Sequence, residues 1–122
     1  MHIYISIGEQ KLRLFEGDAL VAEYVVSSAA NGIGFEEGSY CTPTGRFEVS
    51  EKIGDGDPLR TIFKSRKPMG TWDGMPSDED MILSRILRLN GLDAQNANSM
   101  ERYIYIHGTN HEQNLGTPSS SG

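Results

Sequence analysis

One stretch of this chain holds residue types suited to acyl transfer. His107 leaves the apolar run Tyr103-Ile-Tyr-Ile106 and is followed at once by Gly108. The loop beyond it is polar, passes Gly116 and closes on Ser120-Ser121-Gly122. Acyl transfer by a thiol needs an imidazole within hydrogen-bond reach of the sulfur to hold the thiolate. It also needs a backbone group that fixes the imidazole tautomer, and amide donors for the oxyanion. A glycine just before the nucleophile permits the sharp turn that exposes those amides. The layout is that of a Cys/His site whose nucleophile would stand directly after Gly122. On composition alone, His107 reads more readily as a structural strand-end histidine, and Pro118-Ser-Ser-Ser-Gly122 as a flexible tail.

Other groups could do chemistry, each with a plainer reading beside it. Cys41 is the single thiol, next to Thr42-Pro43, and a half-buried cysteine packs like a small hydrophobe. Ser119 to Ser121 lack the G-x-S-x-G elbow of a serine nucleophile. His107 and His111 are four apart with Glu112 adjacent, but Gly108 and Asn110 oppose a helix there and no third metal ligand stands out. Glu36-Glu37 and Asp78-Glu79-Asp80 read as solvated loop charges, although a carboxylate pair for glycoside chemistry stays open. No phosphate-cradling motif is present.

The elements that must position these groups read as strands. Residues 2–7 and 11–15 flank a Gly8-Glu9-Gln10 turn, and Glu16-Gly17-Asp18 leads to a third strand, Ala19–Ser27. Residues 29–44 are Gly-rich and aperiodic, as expected of a long functional or partly mobile loop. Pro43-Thr44-Gly45 turns into a fourth strand, Arg46–Lys52. Residues 54–80 show no clear period around Thr61–Lys64. Met81–Leu89 fits a short helix as well as a buried strand, with Asn90-Gly91 favouring the strand. Asn96–Ser99 reads as polar loop and Arg102–Ile106 as a strand. The fold class is therefore mainly β, a sandwich or small barrel with little helix, in a single domain over residues 1–122.

Composition agrees and narrows the partners. An apolar share of 37% with 14 glycines suits strands and loops better than a helix bundle. A net charge of −6 and a pI near 4.9 argue against nucleic acid or an anionic membrane surface. The densest basic group, Lys64, Arg66 and Lys67, is modest. One cysteine precludes an internal disulfide and says little about compartment. The N-terminus lacks the regions of a signal peptide, and no stretch has the length of a membrane span.

With these residues in view, the chain resembles the L,D-transpeptidase catalytic domain, the YkuD family. That signature is a His followed, after a loop, by [Ser/Thr]-x-Gly-Cys. His107-Gly108-Thr109 matches its opening, Gly116 its mid-loop glycine, and Ser120-Ser121-Gly122 the run into the cysteine. Gln10-Lys-Leu-Arg-Leu14, Val26-Ser-Ser-Ala-Ala-Asn-Gly32, Cys41-Thr-Pro-Thr-Gly-Arg-Phe47 and Ile82-Leu-Ser-Arg-Ile-Leu-Arg-Leu89 also resemble the family, so the likeness spans nearly the whole chain. Ser121 is a departure, since that position often holds His, Lys or Arg. The signature cysteine, the Arg after it and the last strands would lie beyond residue 122. The resemblance thus implies a C-terminally incomplete domain, and a 122-residue chain that is inactive on its own.

The resemblance implies a peptidoglycan L,D-transpeptidase that cross-links diaminopimelate stem peptides or attaches a lipoprotein, and whose complete form binds carbapenems. His107 would serve as base, Gly108 would orient it through its carbonyl, and amides near Gly122 would hold the oxyanion. Thr109, Ser120 and Ser121 would flank the substrate, and Pro43, Thr44 and Gly45 would shape the groove wall. It implies no metal or organic cofactor. Its place would be periplasmic or at the cell envelope, with a cytoplasmic location open because no leader precedes Met1 here. Two other readings stay open: a non-catalytic wall-binding module, and a cytoplasmic thiol peptide hydrolase.

Overall fold

Alternation of apolar and polar residues near the N-terminus builds an antiparallel meander of β1 (His2–Ser6), β2 (Lys11–Glu16) and β3 (Ala19–Val25). The computed structural model describes residues 1–121. Within the meander, Ile5, Leu12 and Tyr24 stand in register on one face, while Tyr4, Arg13 and Glu23 stand on the other. Arg13 bridges Glu9 and Glu23 there. The β1–β2 turn ends on Gln10, which adopts φ 55° and is only 3% exposed. A buried carboxamide needs partners. Gln10 Nε2 donates to the Ile7 carbonyl (2.7 Å) and to Ser28 Oγ (2.9 Å), and its Oε1 accepts the Ser28 amide (2.9 Å). The meander is thereby tied to the chain that leaves β3.

The second sheet holds β4 (Phe47–Ile53), β5 (Thr61–Lys64), β6 (Lys67–Thr71), β7 (Ile82–Gly91) and β8 (Tyr105–Thr109). Its order is β4-β7-β5-β6, with β8 also on β7, and every pairing is antiparallel. β7 is the spine. One edge carries β4 and then β5, and the other carries β8. The result is two antiparallel sheets, not a closed barrel. Among the described residues helix is limited to two 3₁₀ turns, Ala94–Asn96 and Glu112–Asn114. None is long and apolar enough to cross a membrane.

The strand option for residues 81–89 is the one adopted, and the ambiguity has a physical cause. Leu83, Ile86 and Leu89 are the buried positions of β7, so burial recurs every third residue. A β-bulge at Ser84–Arg85, with Ser84 at φ 72°, breaks the two-residue period.

Several sequence expectations are corrected. The unassigned zone 54–80 contains the β5–β6 hairpin, turned by Ser65-Arg66 at φ 50° and 64°. The strand expected at 102–106 starts later, at Tyr105, because Arg102 and Tyr103 (φ 57°) close a turn. His107 therefore stands within β8 and not beyond its end. Asn96–Ser99 is no solvated loop: Asn96 and Ser99 are fully buried. The 29–44 segment is irregular but pinned. Ile33 bridges Thr42, Asn98 donates to the Phe35 carbonyl (3.0 Å), and Arg102 donates to the carbonyls of Gly34 (3.2 Å) and Cys41 (2.9 Å).

Candidate active site

β8 carries His107 opposite Ile86 and Gly108 opposite Leu83, on either side of the β7 bulge. A side chain at Gly108 has no room. Its Cβ would come 2.6 Å from the Leu83 carbonyl oxygen and 3.2 Å from Ser84 Oγ. His107 is half-buried, and its Nδ1 lies 2.7 Å from the Gly108 carbonyl oxygen. A carbonyl oxygen only accepts, so Nδ1 carries the proton and donates. The neutral ring then keeps its lone pair on Nε2, the form required of a base. The strand thus fixes both the orientation and the tautomer of this imidazole.

The chain just past β8 grips the segment before β7. Thr109 Oγ1 accepts the His111 amide (3.0 Å). Asn110, 6% exposed, accepts the Met81 amide at Oδ1 (2.9 Å) and donates from Nδ2 to the Glu79 carbonyl (2.9 Å). These bonds bracket Asp80. The Ser77 carbonyl, an acceptor only, lies 2.7 Å from His111 Nε2, and His111 Nδ1 lies 3.8 Å from Asp80 Oδ1. Asp80 Oδ2 accepts the Ser121 hydroxyl (2.8 Å).

The serine tail is paired, not loose. The Gly116 amide donates to Val26 (2.9 Å), the Ser120 amide to Ser28 (3.0 Å), and the Ala30 amide to Ser120 (2.9 Å). Ala29, fully buried between them, donates to Thr42 Oγ1 (2.8 Å). The tail and the Thr42-Pro43-Thr44-Gly45 segment therefore meet the same stretch, 28–30. Pro43 is buried, and the turn after it is held from beneath. Asn96 Nδ2 donates to the carbonyls of Thr44 and Arg46 (each 3.0 Å), while its Oδ1 accepts the Asp93 amide (2.9 Å). Gly45 takes φ 110°, and a Cβ there would sit 2.6 Å from Asp93 Oδ2. That carboxylate accepts the Arg46 amide (2.7 Å) and guanidinium (2.8 and 3.0 Å). The Arg46 amide first, and its side chain second, hold the Asp93 carboxyl below the usual carboxylate range.

Of the residues expected from sequence, His107, Gly108 and Thr109 share β8. Ser120 bonds Ser28 and Ala30, and Thr42, next to Pro43, bonds Ala29 between them. Ser121 bonds Asp80. Gly122 lies outside the described residues. Cys41 is half-buried with its sulfur 3.6 Å from the Asn31 and Ser39 carbonyls, a packed setting remote in type from an imidazole-paired thiolate. His111 is engaged with Ser77, and among the described residues no three His, Cys, Asp or Glu side chains converge. Sequence reasoning missed Gln10, Asp80, Asp93, Asn96, Arg102 and Asn110. Asp80 binds a distant side chain, the Ser121 hydroxyl, and each of the others grips backbone from a distant segment, which leaves no local pattern. Asn96 alone had a cue, the Asp-x-x-Asn spacing of a helix start.

Next to these elements a cleft of about 580 Å³ is walled by Trp72, Pro76, Ser77, Asp78, His111 and Gln113, among others. Asn110 and His111, not His107, reach its wall.

The family model for the L,D-transpeptidase catalytic domain, YkuD, matches residues 1–122. No curated protein and no solved structure matches significantly.

Proposed function

The chain belongs to the YkuD family of L,D-transpeptidase catalytic domains, and from that premise we propose that it is the His-bearing part of a peptidoglycan L,D-transpeptidase. The reacting thiol in this reading is the cysteine that the family signature puts directly after Gly122. The observation that carries this reading is the 2.7 Å bond between His107 Nδ1 and the Gly108 carbonyl. It leaves Nε2 as the acceptor.

In the proposed cycle, Nε2 of His107 takes the thiol proton and the thiolate attacks the diaminopimelate carbonyl of a tetrapeptide stem. The carbonyl electrons move onto oxygen, held by amides near Gly122. Collapse breaks the bond to the terminal D-alanine, whose amine leaves with the proton from the imidazolium. An acceptor amine, from another stem or a lipoprotein, then attacks the thioester and passes its proton back to His107. The sulfur leaves as thiolate. Thr109, Ser120 and Ser121 flank the stem, and the Pro43-Thr44-Gly45 turn, braced by Asn96 and Asp93, forms the groove wall. The work is done at the cell envelope and uses no metal or organic cofactor.

The test is incubation of the full-length gene product with a disaccharide tetrapeptide. Release of D-alanine with formation of a cross-linked dimer is expected. Release of D-alanine with tripeptide alone would make it a hydrolase, and no release would contradict the proposal.

A further inference from the structure

We propose that Asp80 is a positioning residue that sets the approach to the reacting sulfur through the hydroxyl of Ser121. The proposal rests on the transpeptidase reading above and adds a residue to it. The backbone on either side of Asp80 is fixed by one buried side chain. Asn110 accepts the Met81 amide and donates to the Glu79 carbonyl, each at 2.9 Å. Asn110 lies three residues past His107, so the chain leaving the strand that aims the base also anchors Asp80. From there Oδ2 of Asp80 accepts the Ser121 hydroxyl at 2.8 Å.

The preceding residue is fixed independently, since the Ser120 amide and carbonyl bond Ser28 (3.0 Å) and Ala30 (2.9 Å). Two anchors, one on each part of the fold, thus meet on consecutive residues immediately before Gly122. A single anchor at Ser120 would leave the chain beyond it free to pivot. The second, at Ser121, ties it to the element bearing His107. Thiol–imidazole chemistry depends on such placement, because small displacements of reacting groups lower rates steeply. The short Ser121 hydroxyl finds its acceptor in Asp80.

The experiment compares Asp80→Ala, Asp80→Asn, Ser121→Ala and the double alanine variant in the full-length protein. Two readouts are taken: the rate of acylation by a carbapenem, and hydrogen exchange of the amides from Ser119 onward. Asp80→Ala and Ser121→Ala are expected to slow acylation and to speed exchange by about tenfold each. The double variant should be no worse than either single one. Asp80→Asn should retain most of the rate, since its amide oxygen still accepts the Ser121 hydroxyl. Multiplying effects, or a slowing that follows loss of folded protein, would overturn the assignment. Absence of acylation in the unaltered protein would contradict the transpeptidase reading instead. Exchange then decides the Asp80 tether by itself, and unchanged exchange overturns it.

Discussion

Gly108 packs so closely against Leu83 that a Cβ at residue 108 would sit 2.6 Å from the Leu83 carbonyl oxygen. The contact joins the strand that bears the imidazole to the bulged strand at the centre of the sheet. Gly108→Ala must push β8 off the bulge. A loss of about 1–3 kcal/mol in urea unfolding is expected, the usual cost of overpacking, with a further fall in acylation rate as the carbonyl that holds His107 moves. Unaltered stability would show that β7 yields freely.

His107 bonds its neighbour's carbonyl and is only half-buried, so its role should separate from stability. His107→Ala is expected to lower the acylation rate by roughly 10²–10⁴-fold, the range of general acid–base catalysis. The thermal midpoint should shift little. A rate within a factor of about three of the parent would remove His107 from the chemistry.

Asp93 supplies a pH dependence whose direction is fixed. The Arg46 amide and guanidinium lower its folded-state value from the ordinary 3.8. The folded chain therefore prefers the ionised carboxyl, and the stabilisation is present above the unfolded value. It is lost as pH falls through the lower folded value. Thermal midpoints of the parent and of Asp93→Asn should differ at neutral pH and converge as pH falls below the lowered folded-state value of Asp93. A gap that widened in acid would contradict the assignment.

Arg102 grips the loop that carries Cys41, donating to the carbonyls of Gly34 and Cys41 and to Ser39 Oγ. Lysine cannot reproduce that fork. Arg102→Lys is expected to raise the rate of Cys41 labelling by a thiol reagent about tenfold, as the hydrogen bonds to a charged group are lost. Equal labelling rates would mean that the loop holds itself.

Much of this architecture is readable from the sequence. The β1–β3 meander and β4 follow from plain alternation, and the apolar run leading up to the His-Gly-Thr motif reads as a strand, though the strand runs through the motif rather than ending before it. What escaped reading has specific causes. Residues 81–89 looked half-helical because the Ser84–Arg85 bulge spaces the buried Leu83, Ile86 and Leu89 three apart. Arg102 and Tyr103 read as strand because their composition gives no warning of Tyr103's positive φ. Asn96, Asn110 and Gln10 looked like loop polarity because their partners, Thr44, Glu79 and Ser28, are remote or unpatterned in sequence. Side chains that bind distant backbone have no period to detect. The β5–β6 hairpin escaped for a related reason, since Ser65-Arg66 makes with ordinary residues a turn usually flagged by Asn-Gly.

The transpeptidase reading is tested most directly by the intact mass of the full-length gene product after incubation with a carbapenem, beside its His107→Ala variant. One covalent adduct is expected, mapped to a cysteine directly following Gly122 and formed far more slowly without His107. An adduct on Cys41, or none at all, would contradict it.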